Sequence, residues 1–141
     1  MNEKDRCEQI AESLSELHRK LKRMQSNMLR EYKISLIEYH ILAAVRCRDS
    51  VSQNELAEAL DVDKALISRQ IQSLQEKGLL LCRPDPDCRR RNILSLSESA
   101  LRLLPQLEEI HRSSLDRIFA DCDEKKLEEL QYFLKGLIGR I

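Results

Sequence analysis

"VSQNELAEALDVDKALISRQIQSLQEKGLL", Val51 to Leu80, carries two helix signatures separated by a three-residue interruption. Ser52 and Glu55 have the spacing of a capping box, in which the serine oxygen accepts from a backbone N–H and the glutamate reaches back to the serine N–H. A short helix follows, "QNELAEAL", with Leu56 and Leu60 one turn apart. Asp61-Val62-Asp63 then breaks the pattern. Asp63 is placed to cap a further helix, "KALISRQIQSLQEK", and Gly78 to close it in the left-handed conformation. Within that helix Ile67, Ile71 and Leu74 recur at i, i+4 and i+7, which predicts a core-facing stripe. At 100° per residue Ala65, Arg69, Gln72 and Glu76 point the other way, with Lys64 and Ser68 on the flank. The outward face is therefore short, polar and basic at its start.

Upstream, "SLIE" (Ser35 to Glu38) is a second capping box and opens the helix "LIEYHILAAVRC". Earlier still, Ile10, Leu14, Leu17, Leu21, Met24 and Met28 alternate spacings of four and three, a one-sided stripe that needs a partner helix. Downstream, "LLLCR", the loop "PDPDCRRR" and "NILSLS" predict a β-hairpin with a charged tip, its second strand carrying Ile93, Leu94 and Leu96. Ser97 is placed to cap a long helix through Leu101, Leu104, Leu107, Ile110, Leu115 and Ile118, with a kink expected at Pro105. Asp123 begins a last helix striped by Leu127, Leu130, Leu134, Leu137 and Ile141.

Composition narrows the function classes. Of 141 residues 42% are hydrophobic and 34% charged, with only 3 Gly and 3 Pro, which suits a soluble and mostly helical protein. No apolar run approaches a membrane span, and "MNEKDRCEQI" lacks a signal-peptide core, so a cytoplasmic protein without membrane contact is expected. The formal net charge is zero, but the chain is polarised. Asp63 to Arg91 holds seven bases against four acids, whereas Glu108 to Leu130 holds four against eight. Five cysteines without CxxC pairs read as reduced thiols, not a disulfide frame or a zinc ribbon. There is no G-x-S-x-G, H-E-x-x-H or phosphate-binding glycine loop, so neither an enzyme nor a cofactor is expected.

Helix, short helix, tight turn, polar-faced helix and basic hairpin, in that order, make a winged helix-turn-helix. The fold class is mainly α (α+β), a single domain over 1–141, with the DNA-binding unit at 35–97 and dimerisation helices at 1–32 and 98–141. A helix of this kind fits the major groove, where Ala65 allows close approach or meets a thymine methyl, Arg69 can read guanine and Gln72 adenine. Lys64, Ser52 and Ser68 suit phosphates. A narrow minor groove concentrates negative potential, so one of Arg89, Arg90 and Arg91 is expected there and the others on flanking phosphates.

Over nearly its whole length the chain resembles the MarR family of transcription regulators. "VSQNELAEALDVDKALISRQIQSLQEKGLL" is similar to that family's helix-turn-helix and "RPDPDCRRRNILSLSESA" to its wing, of the form D-x-R-x-x-x-x-x-L-T-x-x-G. The resemblance places Arg90 in the minor groove and Lys64, Ser68, Arg69 and Gln72 toward the major groove. Cys88 stands where the family has aspartate and Ala100 where it has glycine; the first removes an acid that steadies the wing arginine, for which Asp87 is the nearest substitute. The resemblance further implies a homodimer built from the first and last helices, with DNA release triggered by a small-molecule effector, a metal or thiol oxidation, and the chain is accordingly expected to repress from a palindromic operator. The rival reading is a winged helix used for protein–protein contact without sequence-specific DNA binding.

Among the remaining reactive groups, Cys88 is the redox candidate, being expected at an exposed tip beside three arginines that favour a thiolate. Cys7, Cys47, Cys82 and Cys122 read as inert or buried. His18, His40 and His111 are too far apart in sequence for a local motif, His40 reads as a packed histidine, and no metal site is expected.

Overall fold

The computed structural model describes residues 2–141. Six helices and one hairpin follow in the order α1 (Glu3–Leu29), a 3-10 turn (Arg30–Tyr32), α2 (Leu36–Arg46), α3 (Gln53–Leu60), α4 (Lys64–Glu76), β1 (Leu80–Asp85), β2 (Cys88–Leu96), α5 (Glu98–Phe119) and α6 (Glu124–Ile138). Each helix start is fixed locally. Ser35, Ser52, Asp63, Ser97 and Asp123 all accept a backbone N–H from the first turn of the helix they precede. Ser35 and Glu38 form the full reciprocal box. Around Ser52 only half of it forms: Ser52 Oγ accepts from the Glu55 N–H, but the Glu55 carboxylate turns to Arg91.

Helix ends are equally specific. At the end of α4 the Leu79 N–H donates to Leu74 O at 2.9 Å and the Gly78 N–H to Gln75 O at 3.0 Å, a Schellman closure with Gly78 at φ +72°. A Cβ on Gly78 would meet nothing within 4 Å. Gly78→Ala is therefore expected to cost about 1–2 kcal/mol purely through its left-handed backbone, read by urea unfolding; an unchanged midpoint would show that the turn relaxes freely. Asp61, at φ 53°, plays the same part between α3 and α4, a conformation aspartate tolerates better than most residues.

The core gathers Leu29, Ile41, Leu42, Val51, Leu56, Ile67, Leu74, Leu104 and Leu107, all essentially inaccessible, so α2, α3, α4, the base of the hairpin and the first half of α5 close around one centre. The predicted α4 stripe of Ile67, Ile71 and Leu74 is buried. Helix α5 runs through Pro105 without a break. Gln25 donates to Ser114 Oγ at 3.2 Å, a buried polar contact that seats the end of α1 on α5.

The ends of the chain are different. Every described residue of α1 up to Lys20 is exposed, and α6 buries none. Ile10, Leu14, Leu17, Leu130 and Phe133 stand between 43% and 63% exposed, a half-bared apolar surface that the folded core does not cover. Among the described residues no helix is long and apolar enough to cross a membrane, and no group of three or more His, Cys, Asp or Glu is placed to hold a metal ion.

Candidate nucleic-acid interface

Helix α4 is held by its two ends. Asp63 caps its start, accepting the Leu66 N–H at 2.8 Å. At its other end Lys77 Nζ donates to both Glu38 oxygens at 2.9 and 2.8 Å and to Lys33 O at 2.6 Å, while Ser73 Oγ donates to Glu38 at 3.2 Å. Glu38 itself is 3% exposed. Burial pushes its carboxyl up, but the Lys77 ammonium and the Ser35 hydrogen bonds outweigh that and hold it below the ordinary glutamate value. This latch joins the start of α2 to the end of α4 and so sets the orientation of the helix between them. Lys64, Ala65, Ser68, Arg69 and Gln72 are all exposed on the face it presents. Ser52 is half-buried, with its hydroxyl oxygen already accepting at the start of α3.

The hairpin departs from the expectation of a loop flanked by short strands. Pairing runs from Leu80↔Leu96 to Pro84↔Asn92 and then jumps to Asp85↔Cys88. Arg89, Arg90 and Arg91 are the residues of β2 that lie between these two pairs and have no partner on β1. They form a bulge in the strand, and the tip is Pro86-Asp87. Bulges twist a strand and re-aim its side chains. Here one arginine is folded inward while two remain free.

The inward one is Arg91. Its guanidinium donates to Glu55 Oε1 at 3.0 Å through Nε, to Asp85 Oδ2 at 2.8 Å and to Ser50 Oγ at 3.2 Å through Nη1. A second contact to Glu55 runs through Nη2. The hydrogen bonds from Arg91 hold the Glu55 and Asp85 carboxyls below their ordinary values. Arg91 is thus ion-paired within the chain, unlike Arg89 and Arg90. The carboxylate that steadies the wing is Asp85, not Asp87, and it holds Arg91 rather than Arg90; the Asp87 backbone N–H donates to the same Asp85 side chain at 2.9 Å. Among the described residues Lys64, Arg69, Arg89 and Arg90 enter no salt bridge. Arg90 lines a groove of about 570 Å³ together with Ser52 and Asn54 of the α3 start, Gln75 of α4 and both Cys82 and Cys88.

One other expectation needs correction. All five cysteines are exposed, Cys7, Cys47, Cys82 and Cys122 as well as Cys88, because they lie on the bare half of α1, at helix ends or on the hairpin's open face. His40 and His111, 71 positions apart, come together where α2 packs on α5: their ring centroids are 6.0 Å apart, and Tyr39 stacks on His111 at 5.0 Å. Burial, then for His40 the neighbouring His111, keeps both imidazoles below the usual histidine value.

A basic, polar helix face beside a hairpin bearing free arginines is a recurrent solution for binding duplex DNA, and the sequence profile of the MarR family matches residues 34–91, the span from the approach to α2 to the last wing arginine. Over this span the chain is similar to the MarR family. The members it matches are transcription regulators and not enzymes. The chain is 29% identical over 134 residues to the HTH-type transcriptional repressor NicR of Pseudomonas putida, a match covering 95% of the chain and 85% of NicR. Its fold is that of the regulator BldR from Sulfolobus solfataricus, with a TM-score of 0.88 at 23% identity over all of both chains. It also superimposes on S. aureus MepR in a DNA complex, with a TM-score of 0.87 at 19% identity over 93% of this chain and 97% of that one. Ala100, in place of the family's glycine, is fully buried in the first turn of α5 and donates its N–H to Ser97, a helical position that a methyl group fits.

Proposed function

We propose that this chain is a homodimeric MarR-type repressor that binds a palindromic operator, with α4 in the major groove and the wing in the adjacent minor groove. The observation that carries the reading is the exposure of four unpaired cations, Lys64 and Arg69 on α4 and Arg89 and Arg90 on the wing. Such charges release counterions from phosphates and make affinity steeply salt-dependent. Arg69 and Gln72 face outward where base edges would lie, Ala65 lets the backbone approach, and Lys64, Ser68 and the α3 start at Ser52 suit phosphates. The MepR–DNA complex supports this docking and the likeness to NicR supports repression. Arg69→Ala is expected to cost about 1–3 kcal/mol on a duplex selected from a randomised pool and to relax one base preference. Lys64→Ala should instead weaken selected and random duplexes alike. Equal losses on both duplexes for Arg69→Ala would reduce it to a phosphate contact. Salt-independent weak binding to any duplex would favour the protein–protein reading.

Release by a small ligand or an oxidant completes the proposal. For the oxidant, Cys88 beside Arg89 is the thiol whose glutathionylation adds bulk and negative charge where phosphates approach. Mild oxidation should then lower DNA affinity reversibly in the parent and leave Cys88→Ser unaffected. Equal loss in both proteins would remove Cys88 from the account.

A further inference from the structure

We propose that Arg91 is a positioning residue for DNA recognition: by bridging Glu55 of α3 to Asp85 of β1 it fixes the angle of the wing, and with it the reach of Arg90. The inference rests on the DNA-binding reading above but concerns residues which that reading leaves unexplained. A two-stranded hairpin is barely stable alone and takes its orientation from whatever holds it. At its base this hairpin is anchored by Leu80, Ile93 and Leu94, all buried, and by the Leu94 N–H donating to Val51 O at 2.9 Å. From Asn92 to the tip the apolar anchors stop. Asp85, at 8% exposure, is the only residue there that is buried, and Arg91 the only other one partly so. The outermost tether of the wing is therefore ionic, and it ends on the first helix of the helix-turn-helix.

Chemistry favours arginine in this place. The planar fork engages two carboxylates and a hydroxyl in fixed directions, which a lysine ammonium cannot reproduce. It also explains a pair of acids close to the proposed DNA face. Glu55 and Asp85 would repel phosphates if free; bridged by Arg91 their joint charge falls from two negative charges to one, and they serve as fixed points.

This reverses the sign of a simple electrostatic expectation. Removing an acid from a DNA-binding face should strengthen binding, but Glu55→Gln is expected to weaken it by roughly tenfold, as for residues within one salt-bridge network. The assay is titration of a pool-selected duplex over a range of salt, with hydroxyl-radical footprinting. Glu55→Gln and Arg91→Gln should both leave the salt slope at the parent's value and lose the minor-groove protection from the wing, while major-groove protection by α4 persists. Arg91→Lys should fail to restore it. Tighter binding by Glu55→Gln, together with a salt slope shallower by about one in Arg91→Gln, would overturn the proposal and make Arg91 a phosphate contact. If the parent binds no duplex, the DNA-binding reading fails and the brace is judged without DNA. Nitrogen-15 spectra of the Arg91 side chain should show hindered guanidinium rotation in the parent and faster rotation in Glu55→Gln, where only the Asp85 and Ser50 contacts remain, and free rotation already in the parent would refute the brace.

Discussion

Replacing Leu14 and Leu17 together by aspartate is expected to leave a folded monomer. Both leucines are nearly half exposed on α1 and line one groove with Ile10 of α1 and Leu130 of α6. Neither belongs to the core around α2, α3 and α4, so the change spares the helix-turn-helix. A second copy covering this surface would bury four such leucines across a two-fold axis. Each leucine is already more than half covered, so about half of the 1.5–3 kcal/mol for a fully buried side chain applies, and the loss is roughly 3–6 kcal/mol before any cost of burying aspartates. That raises the dissociation constant by about two to four powers of ten. Sedimentation velocity at micromolar concentration should give a dimer for the parent and a monomer for the variant, with unchanged helix content. A variant that remains dimeric would move the interface elsewhere.

The second large effect is expected in the latch behind α4. Lys77→Met keeps the length of the side chain but strips the ammonium from the Glu38 carboxylate, which is 3% exposed. Glu38 is buried but the Lys77 side chain is 33% exposed, so removing the ammonium leaves a buried charge uncompensated at a cost of about 2–3 kcal/mol, below that for a fully buried pair, and lowers Tm by roughly 5–10 °C for a chain of this size. The pH dependence should change sign as well. In the parent the Glu38 carboxyl lies below its ordinary value, so its stabilisation is present above the unfolded glutamate pKa and is lost as pH falls through the folded one. Without Lys77, burial dominates and pushes the carboxyl up. The variant should then be most stable in acid and lose stability as pH rises from the ordinary glutamate range through the raised value. Urea unfolding across pH reads both curves; parallel curves would show that Lys77 does not compensate Glu38.

What the sequence disclosed and what it withheld follow from how far apart the interacting residues lie. Caps act within three residues, so Ser35, Ser52, Asp63, Ser97 and Asp123 could each be recognised from neighbouring letters, as could the buried stripe of α4. The fate of Glu55 could not. Its spacing to Ser52 predicts a reciprocal box, but its partner Arg91 stands 36 residues away and reaches it only because β2 bulges. Pattern alone cannot distinguish three arginines in a loop from three in a strand bulge, nor decide which one turns inward. Asp85 ends β1 whereas Asp87, two positions on, lies in the tip, and only the strand register separates them. Lys77 and Glu38, 39 residues apart, and His40 and His111 meet through helix packing for the same reason.

The central claim is that the dimer reads two half-sites with α4 and flanks each with a wing arginine. It is tested most directly by selecting duplexes from a randomised pool with the parent protein and footprinting the winner beside Arg90→Ala. The account predicts an inverted repeat with half-site centres about 34 Å, one helical turn, apart, major-groove protection at each, and minor-groove protection outside them that disappears in Arg90→Ala. A pool with no enriched sequence, or minor-groove protection that survives the loss of Arg90, would contradict it.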